Sequence, residues 1–98
     1  MWLDTSNSRQ LTASGEIGTA GKPVRIFSIN ALSGATAGVS TVKIGGSGGT
    51  TWLTLTCPTV STGNHFNFGE AGIRFPTGAY WTKDANTTSI VVTYREEA

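Results

Sequence analysis

The chain is patterned in twos. From Thr50 to Cys57 apolar and polar positions alternate, with Leu53, Leu55 and Cys57 on one side and Trp52, Thr54 and Thr56 on the other. A period of two is the mark of a strand with one buried face. Residues 22–32, KPVRIFSINAL, predict an earlier strand. Strict alternation there sets Val24, Ile26 and Ser28 against Arg25, Phe27 and Ile29, so both faces are at least partly covered. Val39 to Ile44 predicts another, with Val42 and Ile44 inward and Thr41 and Lys43 outward. Between these two lies the loop Ser33–Gly38.

Breaks between runs carry turn chemistry. Four glycines in Gly45–Gly49 join two strands and predict a hairpin loop. A phosphate-cradling loop needs Lys-Ser/Thr and then a helix, whereas Thr50-Thr51-Trp52 starts a strand. Further on, His65–Phe68 turns Phe66 and Phe68 inward, Gly69–Gly72 is a turn, and Ile73–Phe75 is a short strand. Pro76-Thr77-Gly78 fits a tight turn with proline at its first central position. Ala79–Thr82, the turn Asp84-Ala85-Asn86 and Ser89–Arg95 complete the run. Ile90-Val91-Val92 is apolar on both faces, which predicts a central strand, not an edge. Arg95-Glu96-Glu97-Ala98 reads as a solvated tail. No stretch has helical periodicity. The expected fold is all-β: one small β-sandwich or jelly-roll-like barrel of about seven or eight short antiparallel strands. Residues 1–21 read as an extended N-terminal arm with at most a short strand between Leu11 and Ile17, and residues 22–98 as the β-sandwich domain.

Composition narrows the functional classes. A chain of 98 residues buries only about 60–65% of its unfolded surface, and small domains commonly add a disulfide, a metal or a partner copy. Cys57 is the only cysteine and His65 the only histidine, so an internal disulfide and a Cys/His zinc site are both excluded. Oligomerisation remains. The net charge is +1 and only 13% of residues are charged, about half the usual ~25%. No basic footprint for nucleic acid is present. No run of about 18 apolar residues exists to cross a membrane as a helix. The N-terminus lacks a basic and an apolar region, so no secretory signal is expected there and the product is expected to stay in, or assemble in, a cytoplasm.

Catalytic chemistry finds little support. The acids Asp4, Glu16, Glu70, Asp84, Glu96 and Glu97 fall in the arm, in turns and in the tail. Glu70 and Asp84 could meet at one end of a sandwich, although turn formation accounts for both. Cys57 and His65 could meet across a hairpin, although a buried cysteine is ordinarily an inert small hydrophobe. No catalytic, cofactor-binding or metal-ligating residue is therefore assigned, and no cofactor is expected. Two binding readings remain. Trp52, Tyr80 and Trp81, with Asn64, Asn67 and Arg74 as polar partners, could contact a sugar. Trp2, Leu3, Arg74 and Trp81 could instead anchor a protein interface, where aromatics and arginine are enriched; Trp2-Leu3 packs either on its own domain or on a partner.

The stretch His65–Arg95, with its order FNFGE-x-GIRFP-x-G-x-Y-x-x-x-DAN-x-T-x-IVVTYR, resembles the end of small virion accessory proteins of tailed bacteriophages. The resemblance covers about the last third of the chain and rests on turn and core positions, which specify a fold better than a role. It implies a non-enzymatic virion structural protein, most simply a capsid decoration or cement protein. It equally allows a place in the neck, tail or fibre. Its implied partners are itself, with a homotrimer favoured, and a major capsid or other virion protein. Asn86-Thr87-Thr88 matches a glycosylation sequon that a phage product made in bacteria would not use.

Overall fold

A computed structural model describes residues 7–58 and 63–97 of the chain. Among them are nine strands and no helix: β1 (Asn7–Leu11), β2 (Gly15–Ile17), β3 (Val24–Ser33), β4 (Gly38–Ile44), β5 (Thr51–Cys57), β6 (Asn64–Asn67), β7 (Ile73–Phe75), β8 (Ala79–Thr82) and β9 (Thr87–Glu96). They form two antiparallel sheets. The first runs β1-β9-β3, and β6 and β7 share the far edge of β3, β7 along residues 24–26 and β6 along 28–31. The second runs β2-β8-β4-β5. The expected small all-β sandwich is therefore the fold.

Alternation packs the space between the sheets. Ile17, Ala79, Trp81, Val42, Leu55 and Cys57 of the second sheet meet Leu11, Val24, Ile26, Ile29, Ala31, Phe75, Ile90 and Val92 of the first, all buried. Most alternate, outward positions are polar, with Leu32, Val39, Trp52 and Val91 the exposed large apolar side chains among the described residues. The last strand is central as expected, held between β1 and β3.

Strict alternation fails at three bulges. On β3, Ile26 pairs with Tyr94 and Ser28 with Thr93, so Phe27 is an extra residue. The inward phase shifts there, from Val24 and Ile26 to Ile29, Ala31 and Ser33. The sequence expectation that Ile29 faces away from Val24 and Ile26 is thus corrected. A second shift, between Leu32 and Ser33, leaves Thr88 of β9 unmatched. On β5, Val42 pairs with Leu53 and Lys43 with Thr51, so Trp52 is the extra residue.

The segment expected as an arm is corrected from residue 7 onward. β1 lies along β9, and three residues later the chain has moved to the other layer, where β2 lies along β8. The Arg9 guanidinium Nη1 donates to the Glu16 carbonyl across this step, at 3.4 Å. The Lys83 amide donates to Ser14 Oγ in the crossing turn, at 2.8 Å. This short segment therefore stitches the layers together, since each of its strands completes a different sheet. Its early residues looked arm-like because β1 is an edge strand whose first four positions are exposed.

The tryptophans differ in role. Trp81 has no exposed surface, so Trp81→Ala is expected to cost about 3–5 kcal/mol in urea unfolding. Trp52 is 46% exposed and its ring sits 5.1 Å from that of Phe75, so Trp52→Ala is expected to cost only about 0.5–1.5 kcal/mol. Equal, small losses for both would contradict this packing.

Candidate functional site: an arginine row on the outer face

The outer face of the first sheet carries all three ion pairs found among the described residues. Arg25 on β3 pairs in register with Arg74 on β7 on one side and with Arg95 on β9 on the other. Three arginines thus stand in one row across three adjacent strands. Like charges directly opposite each other on a sheet are destabilising. A single carboxylate relieves this row. Glu97 Oε2 accepts from Arg25 Nε at 2.9 Å and from Arg95 Nη2 at 3.1 Å, while Oε1 accepts from Arg74 Nε at 3.0 Å. The Glu97 amide also donates to the Pro23 carbonyl at 2.9 Å, which fixes the backbone beyond β9. The segment expected as a solvated tail is therefore corrected: β9 runs to Glu96, and Glu97 closes a clasp over three strands.

Local structure explains how the row is held. Arg25 Nη1 donates to the Ala71 carbonyl at 2.8 Å, in the turn between β6 and β7. That turn lies tight against the bulge because Gly72 has no side chain. A Cβ there would stand 2.6 Å from the Ile26 carbonyl oxygen, and its φ of +65° is one that glycine adopts without strain. The Phe68 amide donates to the Phe27 carbonyl at 2.9 Å, on the other side of the same bulge. Arg95 lies over the Phe27 ring, 5.5 Å from its centroid, a cation–π contact. The bulge thus puts an aromatic under one end of the row.

Beyond the row the same face is uncharged. Register aligns Ser8, Thr93, Ser28 and Asn67 across four strands, and next to them Gln10, Val91, Asn30 and His65. His65 Nδ1 and Asn30 Oδ1 are hydrogen-bonded on this face. Cys57 is buried and its thiol donates to the Ala31 carbonyl at 3.3 Å. Cysteine and histidine are thus on opposite sides of the first sheet and form no dyad. Asp84 accepts from the backbone amides of Val39, Asn86 and Thr87, tying the β8–β9 turn to β4. Burial alone would raise its carboxyl; hydrogen bonds from Thr87, Val39 and Asn86 hold it below the ordinary value. Among the described residues, no three His, Cys, Asp or Glu side chains gather to hold a metal ion.

Of the sequence-derived interface candidates, Arg74 sits in the row with 43% of its side chain exposed. Trp81 is withdrawn by its burial, from this set and from the sugar-contact set alike. Trp2 and Leu3 lie outside the described residues. Of the sugar candidates, Trp52 leans on Phe75, and half-buried Tyr80 stands beside Lys43 on the outer face of the second sheet. They form no aromatic platform with Trp81. Sequence reasoning missed Arg25, Arg95 and Glu97. The available signal was that Arg25 falls on a strand expected to be covered on both faces and Arg95 ends the strand expected to be central. No protein-family model, curated protein or solved structure matches the chain.

The clasp makes a pH prediction. The Arg25 hydrogen bond is the largest influence on Glu97; burial opposes it, and Arg95 and Arg74 reinforce it, lowering the carboxyl from 4.5 to about 2. A depressed acid contributes its full stability above its unfolded value and loses it as pH falls through its folded value. The stability difference between wild type and Glu97→Gln is therefore expected to be largest above pH 4.5 and to narrow towards about pH 2. Thermal melts across that range measure it; a difference independent of pH would contradict the clasp.

Proposed function

We propose that this protein is a non-enzymatic binding protein that acts through protein–protein contact, by its outer arginine-bearing face. The carrying observation is the composition of that face. Three arginines border a strip of Ser, Thr, Asn and Gln positions in which Leu32 and Val91 are also exposed. Arginine is enriched at protein interfaces and among the few anchors whose truncation costs most of the affinity. The resemblance of His65–Arg95 to virion accessory proteins of tailed phages supports a more specific role. In that role the protein is a capsid decoration or cement protein, a homotrimer that contacts a major capsid protein and resides in the virion. The neck, tail and fibre offer the same kind of contact. The sugar-binding alternative loses its main support with the burial of Trp81.

Light scattering on the purified chain tests this reading. The expected result is a mass of three 10.2-kDa chains, or cosedimentation with phage capsids. A stable monomer that ignores capsids and binds polysaccharide would overturn it.

A further inference from the structure

The charge of the arginine row exceeds what Glu97 can neutralise. Three guanidinium groups face one carboxylate, which leaves a surplus of two positive charges, and no other acid pairs with them among the described residues. Each guanidinium has five N–H donors. Arg74 and Arg95 each commit only one to Glu97, at Nε and Nη2 respectively, and make no other hydrogen bond among the described residues. Both side chains are more than 40% exposed. Pinning the end of β9 needs one ion pair, whereas a third arginine in the same row adds repulsion.

The occupant already seen indicates the chemistry of another. A polypeptide carboxylate, Glu97, lies among three guanidinium groups at 2.9–3.1 Å. We propose that the Arg25/Arg74/Arg95 row is a docking site for an acidic polypeptide segment of a partner protein. Its carboxylates take the uncommitted donors of Arg74 and Arg95 and compete with Glu97 for the rest. The site rests on the protein-contact reading above and gives the partner a chemical class. Charge complementarity selects an acidic partner, and charge-assisted pairs with arginine forks are among the stronger hydrogen bonds. The neighbouring face selects polypeptide over nucleic acid: it carries Ser28, Asn67, Thr93 and Val91 in place of further cations, so a phosphate backbone would find nothing to follow beyond the row.

The test is fluorescence anisotropy of a fluorescein-labelled hexaglutamate peptide titrated with the full chain at low salt. Wild type is expected to bind, and added salt to weaken binding several-fold, because exposed charges are screened. Glu97→Gln, which removes the internal competitor, is expected to bind tighter by roughly threefold or more, and Arg74→Gln weaker by roughly fivefold or more. Thermal melts confirm that each variant is folded; Arg95→Gln, expected to weaken binding similarly, replaces Arg74→Gln if that variant does not fold. A peptide that binds no variant, or all of them equally, overturns the proposal. So does tighter binding of inorganic phosphate or of a labelled oligonucleotide than of the peptide. Light scattering on the same samples separates the two readings: an assembled chain that ignores the peptide refutes the acidic partner and leaves the protein-contact reading standing.

Discussion

The ladder between β3 and β9 is the constraint on which the first sheet depends. Both strands are ten residues long, and every other strand of that sheet pairs with one of them. Its register is not continuous. The extra residue at Phe27 rotates the rest of β3 by one position, so that Ile29 and Ala31 enter the core. Because side chains alternate, a ladder without that shift would turn Ile29, Ala31 and Ser33 outward. The bulge therefore reconciles two halves of one strand whose apolar positions are out of phase.

The same bulge builds the charged surface. Before it, Arg25 stands outward between Arg74 and Arg95; at it, Phe27 lies under the Arg95 guanidinium. Gly72 lets the β6–β7 turn close over the bulge and present the Ala71 carbonyl to Arg25. Glu97 then bridges the row and ties the end of β9 across β3 to β7. Fold and surface are coupled here, because the residues that set the inner phase also set which charges share the outer row. Among the described residues, one carboxylate thus serves three guanidinium groups.

Much of this was legible in the residues. Clean alternation gave the phases of β4 and most of β5, the inward Phe66 and Phe68, and the glycine- and proline-bearing turns. The two-sided apolar run Ile90–Val92 marked β9 as central. Other features were hidden for physical reasons. A bulge adds one residue without changing composition, so Phe27 and Trp52 cannot be told from ordinary alternating positions. Trp81 and Tyr80 are neighbours on opposite faces, and the choice of inner ring depends on Val42 and Gly15 across the sheet. The arginine row joins positions 25, 74 and 95, whose proximity depends on register between strands far apart in the chain. Arg74 was read as a contact residue, yet its two companions and its carboxylate became visible only with the pairing.

The most direct measurement is the set of cross-strand nuclear Overhauser effects between β3 and its neighbours in an isotope-labelled sample. The account predicts contacts that pair Arg25 with Arg95 and Arg74, and Ser28 with Thr93, with Phe27 unmatched between them. An unbroken ladder that sets Phe27 opposite Thr93 would contradict it, because it would remove the phase shift that places Ile29 in the core.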